Sequence, residues 1–257
     1  MIHPTAIVSS DALVADGAEI GPYSVIDRGV MIGSGTHVGP HCRVEGPATI
    51  GDGNVFTAFA SIGGPPQDLK YRGEKTTLVI GNNNTFREFV TINRGTPGGG
   101  GITTIANENL FMAYAHVAHD CHIGSNTVFA NNATLAGHVD VGDFAQIGAF
   151  SAVHQFCRVG EHAFIGGGTM CTQDVLPYTK TVAERHASTF GINSIGLERK
   201  GFSKDTIQAL QRAYRILVRS KLKLDDALTR IEAELSPYPE ARYFVDFVRA
   251  SKRGVIR

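Results

Sequence analysis

The chain has 257 residues, enough to bury a sizeable core, and 24 Lys plus Arg balance 24 Asp plus Glu. That balance excludes a global field drawing the protein to nucleic acid or an anionic membrane, and no apolar run nears the ~18 residues of a membrane span. With 30 Gly, no Trp and 19% charged residues the composition is that of a turn-rich β protein, and MIHPTAIVSS lacks the regions of a signal peptide, so a soluble, cytoplasmic protein is expected.

From Ile2 to Ile62 an aliphatic or Phe residue recurs at every sixth position, through Val8, Val14, Ile20, Ile26, Ile32, Val38, Val44, Ile50 and Phe56. The phase returns at Ile80, Phe86 and Ile92, slips by one residue, and runs from Ile105 to Cys171. Such a fixed period marks a repeat architecture. Two segments break it, 63–79 and 93–104. The residue after the anchor is often Gly, as at Gly21, Gly39 and Gly124, which fits a corner with unusual φ/ψ. The fifth position is small, as at Ala6, Ser24, Thr36, Ala133 and Ala163. Positions one and five therefore face a narrow interior, and position six points outward.

One hexad makes a short strand and a corner, and three hexads make a triangular coil. Stacked coils pair as parallel strands about 4.8 Å apart, giving a β solenoid of roughly nine coils over residues 1–177. The pattern does not set its handedness. Cys42, Cys121 and Cys157 take the small inward position and Cys171 an anchor, so all four read as inert core thiols. Cys121 and Cys157 are two coils or ~10 Å apart, too far for a disulfide.

After Pro177 the six-residue period stops. Residues 202–221 place Ile207, Leu210, Tyr214, Leu217 and Val218 on one face, with Ser203 as N-cap. Residues 222–235 and 239–251 read as two more amphipathic helices. Residues 178–257 thus form a small C-terminal α-helical domain that covers the end of the solenoid, where an open coil would expose strand edges.

Between regular hexads lies AHVAHDCH, residues 115–122. An 18-residue coil puts Gly137 and then Gln155 above His119, with His138 and His154 within one residue of that line. Three imidazoles thus gather along one corner, within roughly 10 Å. His116 sits beside them at an outward position, and His122 lies one hexad further round. Three chemistries fit this cluster. An imidazole beside Asp120 can take a proton from an alcohol. Three histidines can hold Zn²⁺ with a position open to water, as gamma-type carbonic anhydrases do. A rigid scaffold can carry the histidines with no chemistry at all.

The segments GGPPQDLKYRGE (63–74), TINRGT (91–96), AHVAHDCHIG (115–124), NNATLAGHV (131–139), AVHQFC (152–157) and FGIN…GLERKGFS (190–203) carry the most specific signal. Together they resemble the UDP-N-acetylglucosamine O-acyltransferase family of lipid A synthesis, over essentially the whole chain to the terminal RGVIR. The hexads alone resemble the wider hexapeptide-repeat acyltransferases, whose coils wind left-handed. The resemblance implies a left-handed parallel β-helix, a homotrimer with its active site between neighbours, and no cofactor or metal. The implied reaction moves a 3-hydroxyacyl group from acyl carrier protein to the 3-hydroxyl of UDP-N-acetylglucosamine.

Carried over by motif, His119 is the general base, Asp120 its orienting partner, and Gly137 the backbone donor to the oxyanion. Gln67, Asp68, Lys70, His116 and His138 contact sugar or intermediate, and His154 with Gln155 the nucleotide or acyl arm. Asn193 and Arg199 reach the uridine diphosphate. Gly167 matches the position that sets acyl length, and its missing side chain implies a longer chain. Arg199, Lys200, Lys204, Arg212, Arg215, Arg219, Lys252 and Arg253 offer a basic surface for the acidic carrier. The chain departs from the family pattern at Pro65 and Pro66, at Ser194-Ile195 in place of an Ile-Glu pair, and at Lys200. These changes bear on nucleotide contacts and keep a 3-amino acceptor as the alternative.

Overall fold

The computed structural model describes residues 1–183 and 187–256; Arg257, the last residue of RGVIR, lies outside them. Each short strand pairs in parallel with the strand one coil away, beginning with Ile7 against Val25 and Val8 against Ile26. The chain visits three sheets in rotation, of nine, eight and ten strands, and winds as a left-handed parallel β-helix of triangular section. Anchors and small residues fill the prism, and Phe56, Phe86, Phe111 and Phe129 stack inside it with ring centroids 4.6–4.9 Å apart.

The prism has three long edges. The first joins the sheet containing His116–Val117 to that containing His122–Ile123 and is called here the histidine edge. The second leads on to Val128–Phe129. Along it Ser34, Asp52, Asn82, Asn107 and Ser125 each donate a backbone N–H to the side chain one coil above, at 2.7–3.2 Å, so it is the ladder edge. The third carries the exposed stack of Tyr23, His41, Phe59, Phe89 and Tyr114, with centroids 4.8–5.2 Å apart.

Two sequence expectations change in detail. Left-handed backbone does not fall on Gly21, Gly39 or Gly124. It falls three places past the anchor, where Tyr23, His41, Phe59, Asp120 and His138 have φ of 55–61°. The glycines serve close approach instead: a Cβ on Gly21 would lie 2.8–3.0 Å from the backbone of Val38 and Gly39 in the next coil. Nor is the fifth position always small. At the ladder edge it is filled by buried Asn54, Asn84 and Asn109, whose amides bond coil to coil.

Both interruptions leave from the histidine edge. Strands Ser61–Gly64 and Thr77–Ile80 bracket the first, and Thr91–Asn93 and Ile102–Ile105 the second, so the irregular parts are 65–76 and 94–101. Arg94 ties them together, donating to the Gly63 carbonyl at 2.8 Å and to the Tyr71 hydroxyl at 3.3 Å.

The helices also begin later than the boundary at 177. Thr179–Ala183 and Ala187–Ile192 form an antiparallel hairpin on the ten-stranded sheet, where alternating β-branched residues continue the pairing. Then come α1 (Ser194–Arg199), α2 (Lys204–Tyr214), α3 (Leu224–Leu235) and α4 (Pro239–Arg249). Ser203 caps α2 by accepting the Thr206 N–H at 3.0 Å. A π-helical turn, Arg215–Arg219, follows α2. Ile207, Leu210, Leu217, Phe244 and Val248 form a second core. The tail closes the solenoid: Ile256 joins the prism's own core, and its carbonyl accepts the Thr189 hydroxyl at 2.7 Å.

Candidate active site

Val117, Leu135 and Val153 are in register on successive coils. The residues two places on, His119, Gly137 and Gln155, therefore stand above one another at the histidine edge. The fit is close: a Cβ on Gly137 would lie 2.5 Å from His119 Cε1 and 2.8 Å from Nε2. Only a glycine leaves room for that imidazole, which lies over the Gly137 backbone. Among the described residues the Gly137 N–H has no protein acceptor.

His119 Nδ1–H donates to Asp120 Oδ2 at 2.7 Å, since a carboxylate can only accept. This leaves Nε2 on the Gly137 side. Asp120 is buried and in the left-handed conformation, and three groups of the second interruption or its flank hold it. Thr96 donates its N–H to Oδ1 at 2.7 Å and its hydroxyl to Oδ2 at 2.6 Å. The Thr103 hydroxyl accepts the Asp120 N–H at 2.8 Å. Gly99 packs on the carboxylate so tightly that a Cβ there would overlap it.

His138 meets His119 edge-on with centroids 5.1 Å apart and stacks on Phe156 at 4.5 Å. Burial pushes its imidazole below the ordinary histidine value, while Asp120 and Asp68 pull the other way. His116 shares a 2.7 Å hydrogen bond with the Thr91 hydroxyl, and burial, then neighbouring His119, pushes it down. Burial also raises the thiols, that of Cys121 to about 12 and that of Cys157 to about 11, and all four cysteines are free and buried. A thiol held so high is a poor nucleophile.

His119, Asp120 and His138 present nitrogen and oxygen atoms within 4.8 Å of one another. The carboxylate oxygen they share already accepts the Thr96 hydroxyl and the His119 N–H, so its role in the fold is that of a hydrogen-bond acceptor. His122 points away on the next sheet, bonded to the Thr104 hydroxyl at 2.8 Å.

The fold thus joins His119, Asp120, Gly137, His138 and His116, with Asp68 close enough to act on His138. Gln67 and Lys70 are exposed on the first interruption of the same edge, where Asp68 Oδ1 accepts the Lys70 N–H at 2.9 Å. His154 and Gln155 stand exposed one coil above, outside the network. Three expected residues lie elsewhere. Asn193 caps α1 and donates to the His162 carbonyl at 3.3 Å, at the ladder edge, and Arg199 is on the same helix. Gly167 is exposed at the aromatic edge, beside Ala149. Thr96, Gly99 and Thr103 were missed as site residues, because the interruption removes them from the coil arithmetic that aligned the histidines.

Comparison with known proteins extends these observations. Residues 102–137 match the bacterial transferase hexapeptide (six repeats) family, and residues 174–256 match the UDP-N-acetylglucosamine O-acyltransferase domain 2 family. The acyl-[acyl-carrier-protein]–UDP-N-acetylglucosamine O-acyltransferase of Anaeromyxobacter dehalogenans is 48% identical over 256 residues, covering 100% of this chain and 99% of its own. The enzyme of that name from Xanthomonas oryzae is 50% identical, covering 100% and 98%. The UDP-N-acetylglucosamine O-acyltransferase structure from Moraxella catarrhalis superposes with a TM-score of 0.97 at 44% identity, covering 100% and 99%. The UDP-N-acetylglucosamine acyltransferase structure from Francisella novicida gives 0.97 at 39%, covering 100% and 94%.

Proposed function

The chain belongs to the UDP-N-acetylglucosamine O-acyltransferase family, and on that premise we propose that the histidine edge is where it transfers a 3-hydroxyacyl group from acyl carrier protein to the 3-hydroxyl of UDP-N-acetylglucosamine, the first step of lipid A synthesis. The observation that carries the assignment of the site is His119, bonded through Nδ1 to Asp120 with Nε2 lying over Gly137.

His119 Nε2 takes the proton of the sugar hydroxyl as its oxygen attacks the thioester carbon. The C–O bond forms, and the carbonyl oxygen becomes an oxyanion that the open Gly137 N–H is placed to bind. The C–S bond then breaks, and the imidazolium returns its proton to the departing sulfur. Asp120 fixes the imidazole's orientation and balances its charge while it is protonated. No covalent enzyme intermediate is needed, in keeping with raised, inward thiols. His116, His138, Gln67, Asp68 and Lys70 surround the sugar, and His154 with Gln155 flanks the next part of the ligand.

The prism is convex, and Asn193, Arg199 and Gly167 stand on edges other than that of His119. A nucleotide sugar and acyl chain reaching all of them call for a second copy, and by resemblance to the family the working form is a homotrimer with the site between neighbours. The guanidinium of Arg199 suits diphosphate oxygens. The carrier docks on the basic helical surface, and the reaction takes place in the cytoplasm. Among the described residues no helix is long and apolar enough to cross a membrane.

The test is a turnover panel of UDP-N-acetylglucosamine and its 3-amino analogue against 3-hydroxyacyl carrier proteins of several lengths. The expected result is fastest transfer to the 3-hydroxyl with longer chains, as the bare Gly167 implies. Preference for the 3-amino sugar would replace the acceptor, and no transfer to either would end the proposal.

A further inference from the structure

We infer that Thr96 is a positioning residue for the reaction, acting through Asp120, and that the second interruption of the solenoid serves as its mount. This rests on the reading of His119 as base. A carboxylate that orients an imidazole has to be held in one rotation, and burial alone does not do that. Here both of its oxygens take a hydrogen bond from one residue: Thr96 N–H to Oδ1 and Thr96 hydroxyl to Oδ2. A single residue bonding both oxygens fixes the plane of the carboxylate as a bidentate partner would. Oδ2 is also the oxygen that accepts the His119 N–H, so the chain runs Thr96 hydroxyl, Asp120, imidazole.

The surroundings fit the same purpose. The Asp120 N–H is bonded to Thr103, and Gly99 closes over the carboxylate where any side chain would overlap it. Pro97–Gly99 forms a tight 3₁₀ turn whose Gly99 N–H and the following Gly101 N–H both return to the Thr96 carbonyl, at 3.1 and 2.8 Å. The loop thus folds back on Thr96 itself. Its Cα frame is further fixed by the Gly95 N–H donating to the Thr77 carbonyl at 3.2 Å. A surface interruption serving only as an insertion would not spend its turn on enclosing one buried carboxylate.

The test compares Thr96→Ala, Thr96→Val and Thr96→Ser, all of which keep the backbone N–H to Oδ1. Loss of the hydroxyl in the Ala and Val variants is expected to lower kcat about tenfold to a hundredfold, the range seen when an outer partner of a metal-site ligand is removed. KM for both substrates and Tm should stay close to the parent, and Ser should restore most of kcat. On an Asp120→Asn background, Thr96→Ala should add little, because two residues acting through one contact are not additive. Parental kcat in both Ala and Val variants, or an equal loss on the Asn background, would overturn the inference. His119→Ala run in parallel separates the two readings. If it is inactive while Thr96→Ala is at the parental rate, only the inference falls. If His119→Ala itself turns over at the parental rate, the base assignment fails and takes the inference with it.

Discussion

The histidine edge and the ladder edge are built from the same hexad corner, yet they treat the corner backbone in opposite ways. At the ladder edge the N–H groups of Ser34, Asp52, Asn82, Asn107 and Ser125 are capped by Asp, Asn or Ser of the coil above, buried Asn54 and Asn84 donate to the inner carbonyls of Gly81 and Ala106, and Asn109 accepts from Thr127. At the histidine edge the residue above His119 is Gly137, which has no side chain to cap with, and the Gly137 N–H is itself open. Both interruptions leave from this edge. A self-satisfied edge is worth stability, because an orphaned buried polar group costs about 1–3 kcal/mol. An edge left unsatisfied keeps space for an imidazole and, in the proposed mechanism, a donor free for an oxyanion. The same backbone unit thus serves stability or chemistry according to one side chain.

Apart from loss of His119 itself, the largest expected effect comes from closing the open edge. Gly137→Ala places a methyl group against the His119 ring and should lower kcat about 10²–10³-fold, comparable to losing an oxyanion donor. Circular dichroism and Tm should remain near the parent, since the site lies at a corner and outside the core. Wild-type turnover by this variant would show that the stacking of His119 on Gly137 does not matter.

A second experiment asks whether the edges of one prism meet on a neighbour. Variants His119→Ala and Arg199→Ala, each inactive, are unfolded together and reassembled. If the site lies between copies in a cyclic trimer, random mixing should return about a quarter of parental activity. No recovery would place both residues' work in the same chain.

The ladder edge gives the converse result. Asn84→Leu removes three hydrogen bonds and leaves the Asn109 N–H and Ala106 carbonyl unsatisfied, for an expected loss of about 2–4 kcal/mol. Activity per folded molecule should be unchanged. Urea unfolding checks the first part, and turnover at low temperature checks the second.

These contrasts show what the sequence could tell. The six-residue period is a local signal, and it gave the coils, the inward cysteines and the stacking of His119 on Gly137, because those follow from counting. It misplaced the left-handed corner, since glycines mark both strained φ and close approach, and only the coil above distinguishes them. The hairpin ending at Ile192 was read as part of the helical domain because its strands follow a period of two without the hexad anchors. Thr96 was out of reach for another reason. It lies 24 residues from Asp120, no multiple of the coil, so its two hydrogen bonds depend on a loop path the pattern does not encode.

The smallest expected effect also lies at the ladder edge. Burial, with Lys200 adding to it, pushes the His162 imidazole down to about 4. The unfolded chain therefore binds a proton at higher pH than the folded one. The contribution is intact above about pH 6.5, the ordinary histidine value, and is lost as pH falls toward 4. His162→Phe should flatten that acid loss of Tm while keeping the stack with Phe144 and Tyr178. Phe144 already adopts the same left-handed backbone one coil away, so the substitution is sterically ordinary. An unchanged acid slope would assign the loss to other groups.

The most direct measurement of the central claim is single-turnover acyl transfer by His119→Ala, with saturating UDP-N-acetylglucosamine and 3-hydroxyacyl carrier protein. The account predicts a rate lowered about 10²–10⁴-fold, while the nucleotide sugar still raises Tm as a native-state ligand must. Transfer within a few-fold of the parent would contradict it and move the reaction away from the histidine edge.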